Sequence, residues 1–177
     1  MPNFVPLLFV DHIDLAGSLR RHEGLYDHGT PRILPIRYPR RGTDREDENF
    51  VSGPRDGEIA KWVAMTSFLG RLKREAEKLV GPIDLGLVYL EMLDPGAAIA
   101  TEAQSGAYIE RYTRVHVALR TNPAALMVSG AEASSPAPGW VTAVNVRVPC
   151  YAVNMGQHPR VHLVVDFKKK EPADGNA

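Results

Sequence analysis

Two short runs of alternating residues hold the chain's densest reactive chemistry. Arg114-Val115-His116-Val117-Ala118-Leu119 and Arg160-Val161-His162-Leu163-Val164-Val165 each place a cation and an imidazole two residues apart, followed by apolar positions. With a strand's period of two, Arg114 shares a face with His116, and Arg160 shares a face with His162. A guanidinium on the inner face of a small barrel is costly to desolvate unless an anion meets it. Its planar fork suits carboxylate or phosphate, so the pair predicts a pocket for a small acidic metabolite. The same residues allow a second reading, in which either arginine pairs with an internal acid such as Glu102, Glu91 or Asp166, or points outward. His116 and His162, set among strand residues, read as core histidines with a hydrogen-bond partner.

The elements that must place these residues are mostly short strands. Residues 85–93, 97–101, 113–121, 125–129, 140–148, 151–154 and 160–167 are short strand-like segments bounded by Gly, Pro, Asn or Asp. Residues 4–10 read as one more strand at a sheet edge, and residues 14–22 as a turn or two of helix. Residues 58–79 place Ile59, Trp62, Met65, Phe68, Leu69, Leu72, Ala76 and Leu79 at helical spacing, and Gly81-Pro82 ends the helix. Residues 26–57 turn polar, with Gly, Pro, Arg, Asp and Glu, and read as a mobile loop that either covers a site or is solvated; His22 and His28 beside it read as surface residues. The fold class expected is therefore mainly β with helical cover, a sandwich or barrel in a single domain over residues 1–167, with 168–177 as a polar tail.

Composition narrows the partners. In 177 residues, Lys+Arg equals Asp+Glu, so no global field draws the chain to nucleic acid or an anionic membrane. The lone Cys150 excludes an intramolecular disulfide and fits a reducing, cytoplasmic setting. The opening MPNFVPLLFVDHID has no basic leader, and its apolar run, broken by Pro6, is too short to span a bilayer. Phosphate-loop, serine-elbow and zinc-ligand spacings are not found.

PGAAIATEAQSGAYIERYTRVHVALRTNP followed by YAVNMGQHPRVHLVVD resembles the aspartyl/asparaginyl β-hydroxylase branch of the iron(II)/2-oxoglutarate dioxygenases, over roughly residues 85–167. The resemblance implies a double-stranded β-helix of the cupin/jelly-roll kind. It implies that Arg160 holds the distal carboxylate of 2-oxoglutarate, with Arg114 and His116 assisting at the other end. At the metal the chain departs from that pattern: Glu102 stands at the first histidine position, Gln104 at the aspartate-like one and Cys150 at the second histidine. A facial triad normally joins two imidazoles and a carboxylate, and this set changes charge, softness and reach together. The expectation that follows is metal-independent acid/base chemistry, such as isomerisation, cyclisation or elimination, on a small acidic metabolite. Glu102 would lie in the barrel interior as acid/base, Cys150 would be either a nucleophile or a small buried hydrophobe, and Arg114, His116, Arg160 and Gln104 would hold the anion. The alternatives are a hydroxylase using Fe(II) and 2-oxoglutarate with Glu102 and Cys150 as atypical ligands, and a non-catalytic module that binds the metabolite. Tyr108, Tyr112 and Trp140 are candidates for the cavity mouth, and Asn154 for supporting the turn before the last strand.

Overall fold

The structure is a computed structural model that describes residues 2–11, 29–40, 43–48, 50–52 and 63–171. The helix expected over residues 14–22, His22, His28, the first residues of the helix expected over 58–79, and the end of the polar tail lie outside the described residues. The strands are β1 (Phe4–Phe9), β2 (Arg32–Pro39), β3 (Phe50–Ser52), β4 (Ile83–Leu93), β5 (Ala98–Thr101), β6 (Thr113–Arg120), β7 (Ala125–Ser129), β8 (Glu132–Ser134), β9 (Trp140–Val144), β10 (Cys150–Asn154) and β11 (Arg160–Lys169). The helices are α1 (Val63–Val80) and the short α2 (Ala107–Arg111). Among the described residues no helix is long and apolar enough to cross a membrane.

The strands form a seven-stranded sheet, ordered β1-β9-β6-β11-β4-β2-β3, and a four-stranded sheet, ordered β5-β10-β7-β8. All pairings are antiparallel. This is the jelly-roll arrangement expected, built as two sheets rather than one closed ladder. β4, β6 and β11 lie side by side at the centre of the larger sheet, so their alternate residues form two different surfaces.

One surface is apolar. Val88, Leu90 and Met92 of β4, Val115, Val117 and Leu119 of β6, and Val161, Leu163 and Val165 of β11 pack with Met65, Phe68 and Leu72 of α1. The three helix residues recur at three- and four-residue spacing, which puts them on one stripe. Each fully buried side chain of this kind contributes about 2 kcal/mol through removal from water. The helix ends where Gly81, at φ 83°, donates its N–H to Glu77 O at 2.9 Å and Pro82 follows. Lys78 pairs with Glu75 and Lys73 with Glu77 on the polar side of the helix.

The second surface faces the four-stranded sheet. There Leu93, Tyr108, Ile109, Tyr112, Met127, Val144, Val146 and Ala152 form a smaller apolar cluster between the layers. α2, which the sequence pattern did not reveal, carries Tyr108 into this cluster. Tyr108 and Tyr112 stack with centroids 4.2 Å apart. They lie so close to β4 that a Cβ at Gly86 would overlap the Tyr108 hydroxyl and sit 2.6 Å from Tyr112 Cε1.

The expected loop over residues 26–57 is corrected in its described parts. Residues 32–39 form β2, which pairs along β4 from Arg32↔Met92 to Arg37↔Val88, and residues 50–52 form β3 against β2. Leu34 and Ile36 are buried in the core, but Pro35 stands between them and the register shifts from Pro35 to Arg37. Proline removes a ladder donor and breaks a strand's signature, which is why this strand reads as loop from residue types.

Candidate functional site

Between the sheets lies a cavity of about 100 Å³ whose walls include Tyr89, Glu91, Gln104, Arg114, His116, Cys150 and Arg160. It is large enough for a few waters or a small organic group. A wider groove of about 630 Å³ adjoins it, running between β2 and β5 and sharing Tyr89, Glu91, Ile99 and Thr101 with it. β4, β6 and β11 supply the charged wall through the residues that alternate with the apolar core. β5 and β10 supply the opposite side.

Arg114 and Asp166 are direct partners across β6 and β11. Arg114 Nε donates to Asp166 Oδ1 and Nη2 to Oδ2, both at 2.7 Å. The Tyr108 hydroxyl donates to Oδ2 at 3.1 Å and accepts the Leu87 N–H at 2.9 Å. Asp166 therefore meets three donors, and Arg114 keeps only Nη1 directed toward Gln104 Oε1, at 3.5 Å. This arginine is neutralised from within, as the ion-pair reading allowed, and its bidentate fork is not free for a ligand.

Arg160 is held differently. It is 1% exposed and pairs through Nη2 alone with Glu91 Oε1 on neighbouring β4. Its Nε and Nη1 are enclosed without a hydrogen-bond partner among the described residues. Buried donors left unmade are expensive, and charged ones most of all, so this fork is incomplete. Glu91 is 7% exposed and borders both the cavity and the groove.

Beside this pair His162 Nδ1 lies 3.4 Å from His116 Nδ1, while His162 Nε2 has no partner among the described residues. Such a contact requires one ring to carry its proton on Nδ1 and the other to accept there. Burial, with the charges of Arg160 and Arg114 adding to it, holds His116 well below the usual imidazole range; burial, Arg160 and His116 do the same for His162. Both are therefore neutral near pH 7. Burial pushes the Tyr89 phenol upward, so it too is neutral.

Of the three residues singled out at the metal positions, Cys150 and Gln104 line the same cavity and Glu102 does not. Cys150 lines the cavity, but its Sγ contacts the carbonyl oxygens of Asn145 and Val148 at 3.6 and 3.4 Å. Burial pushes its thiol up, against the smaller effects of Ser129 and Arg114, so it stays protonated and is not an activated nucleophile. Gln104 is half-buried on the cavity wall, where its backbone N–H donates to Val146 O at 2.8 Å. Glu102 is corrected: it follows the end of β5, is exposed, and is not among the residues lining the cavity, although Thr101 before it is.

Iron of the kind the resemblance implies does not fit these groups. Among the described residues no three His, Cys, Asp or Glu side chains converge as ligands. The two imidazoles of this face lie Nδ1 to Nδ1 at 3.4 Å, so they meet each other through those nitrogens and are not spread around a shared centre.

Of the other candidates, Tyr108 and Tyr112 are buried, whereas Trp140 is 42% exposed and packs edge-on with Phe9, away from the cavity. Asn154 is fully buried and ties the approach to β11: its Nδ2 donates to Leu93 O and His158 O, and its Oδ1 accepts from Asn122 Nδ2 and Gly156 N. Glu91 and Asp166 were visible in the sequence only as possible ion-pair partners. Their shared face with Tyr89 on β4 and with Arg160 and His162 on β11 was the available signal.

A two-sheet jelly roll with a charged inner wall is the architecture of the 2-oxoglutarate/Fe(II) oxygenase fold. A profile of the aspartyl/asparaginyl β-hydroxylases matches residues 71–170, and the chain belongs to that family. The fold is similar to an oxidoreductase of the 2OG-Fe(II) oxygenase family from Burkholderia pseudomallei, at 13% identity and a TM-score of 0.62, covering 99% of this chain and 88% of that one. It is also similar to a Pseudomonas putida prolyl-4-hydroxylase, at 12% identity and a TM-score of 0.58 over 96% and 94% of the two chains. A third similar structure is the non-heme alpha-ketoglutarate-dependent epimerase SnoN from nogalamycin biosynthesis, at 13% identity and a TM-score of 0.58 over 99% and 87%. No curated protein matches the chain in sequence.

Proposed function

We propose that this chain is an enzyme that holds a small carboxylated metabolite between the two sheets and acts on it by proton transfer, in an isomerisation, cyclisation or elimination, without a two-histidine iron centre. The observation that carries this reading is Arg160, a buried guanidinium at the cavity wall with two N–H-bearing atoms, Nε and Nη1, left unpartnered among the described residues. A ligand carboxylate binds the Nη1/Nη2 edge with charge-assisted hydrogen bonds, bringing a partner to Nη1 and sharing Nη2 with Glu91. His116 reaches the same cavity as a neutral imidazole able to give or take a proton at its free nitrogen. Glu102, outside the cavity, takes no part, and Cys150 lines the wall as a thiol.

Two measurements test this. Saturating small carboxylates should raise the melting temperature of the native chain and leave that of Arg160→Met unchanged. With ferrous iron, oxygen and 2-oxoglutarate, the anaerobically purified protein should form no succinate. Succinate formation matched to 2-oxoglutarate loss would establish the oxidative alternative and overturn the metal-independent reading. Ligand stabilisation with no turnover of any bound carboxylate would reduce the site to a binding module.

A further inference from the structure

Resting on Arg160 as the carboxylate holder, we infer that Glu91 selects the ligand: the site takes a zwitterion with an ammonium beside its carboxylate, as in a free α-amino acid, in preference to a purely anionic acid.

The charges around the cavity are balanced before any ligand arrives. Arg114 is closed by Asp166, whose two oxygens accept from the guanidinium while Tyr108 adds a third donor. Arg160 is met by Glu91 through one nitrogen and one oxygen only. His116 and His162 are buried and held neutral, and the half-buried Tyr89 phenol is pushed upward by desolvation, so none of them brings a compensating charge. The remaining polar residues of the lining are Thr101, Gln104, Cys150 and Tyr151, none of them a Lys, Arg, Asp or Glu. The two buried arginines of the cavity wall are thus each met by a carboxylate, Asp166 and Glu91, while Arg37 of the adjoining groove and Arg45, 3.4 Å from Gln104, lie outside this inner balance.

A plain carboxylate reaching Arg160 competes with Glu91 for the same guanidinium. If it wins, the Glu91 carboxylate is left in a nearly buried position without its counter-charge, and stranding one partner of a buried pair is strongly unfavourable. A ligand ammonium removes that penalty, because it gives Glu91 a new partner as the ligand carboxylate takes Arg160. One internal ion pair is then exchanged for two intermolecular ones. Glu91 is placed for this exchange, since it borders both the inner cavity and the groove through which a ligand approaches, while Arg160 borders the cavity alone.

The test measures, by calorimetry or ligand-observed NMR, the affinity of the full chain for L-alanine, L-aspartate and L-glutamate, and for propionate, succinate, glutarate and 2-oxoglutarate. At least one amino acid should bind about tenfold or more tightly than its amine-free counterpart, the scale set by an uncompensated buried charge. In Glu91→Gln that ratio should fall to within about threefold, because the amide no longer rewards a cation. Equal affinities with and without the amine in the native chain would overturn the zwitterion assignment and leave the carboxylate role of Arg160 standing. Binding that survives Arg160→Met would overturn that role instead, and no binding by any of the seven acids would overturn both. The native comparison decides the assignment even if Glu91→Gln does not fold.

Discussion

The two faces of the seven-stranded sheet are made by the same strands and do opposite things. On β11, Val161, Leu163 and Val165 face α1 in the apolar core, while Arg160, His162 and Asp166 lie on the face toward the smaller sheet. On β6, Val115, Val117 and Leu119 alternate with Arg114 and His116 in the same way. The residues of both faces are almost equally hidden from solvent, yet one set gains from leaving water and the other must be rescued from its absence. Burial alone therefore does not separate scaffold from site; what separates them is whether each buried group's partners are complete. The apolar face is complete. The polar face is complete at Arg114 and Asp166 and incomplete at Arg160 and His162.

The largest effects should come from breaking each face at its centre. Phe68→Ala on the apolar face and Asp166→Asn on the polar face should each lower unfolding free energy by about 3–5 kcal/mol, the first through a cavity and the second through an unpaired buried guanidinium. Removing both charges together, in Arg114→Met/Asp166→Leu, should recover most of the polar loss. Chemical denaturation of the four proteins checks this, and a double variant no more stable than Asp166→Asn would show that the pair is more than mutual compensation.

A smaller effect should follow pH. His116 and His162 have folded-state values depressed below the unfolded value of about 6.5, so the unfolded chain binds more protons below that pH. The stability they contribute is therefore present above pH 6.5 and is lost as pH falls, by up to about 1.4 kcal/mol per pH unit for each histidine. Melting temperature between pH 7 and 5 should fall steeply in the native chain and less so in His162→Gln. A parallel decline in both would assign the acid sensitivity elsewhere.

The smallest effect is expected at Cys150, half-exposed and bonded only weakly through its sulfur. Cys150→Ser should change stability by less than about 1 kcal/mol. The native thiol should react with iodoacetamide at pH 7 more slowly than a free cysteine, since burial raises its pKa. Rapid alkylation would restore the nucleophile reading.

Much of the β framework was legible because its strands alternate cleanly or run apolar between Gly, Pro, Asn and Asp. β7, Ala125–Ser129, falls where its residues predict, and β6 and β11 do so within two residues. β2 was hidden by Pro35 and two arginines, although Leu34 and Ile36 hold its core contacts. The short α2 was hidden because five residues offer no helical period to read. At the site, the face that Arg114 shares with His116, and Arg160 with His162, was readable from period two, but not that it turns inward. Which acid meets which arginine was not: Arg114 and Asp166 are 52 residues apart and Arg160 and Glu91 are 69 apart, so only strand order decides their meeting. Glu102 misled for the complementary reason, because alignment with a ligand position says nothing about which way a side chain leaves the end of an edge strand.

Gly86 shows how far the charged wall depends on something that is missing. Tyr108 can lie against β4, accept the Leu87 N–H and present its hydroxyl to Asp166 only because nothing projects from position 86. Even a methyl group there would lever the stacked tyrosines outward and slacken the carboxylate that aligns Arg114. The residue with no functional group of its own is thus among the least replaceable in the molecule, and a mutational survey that scored chemistry alone would pass over it.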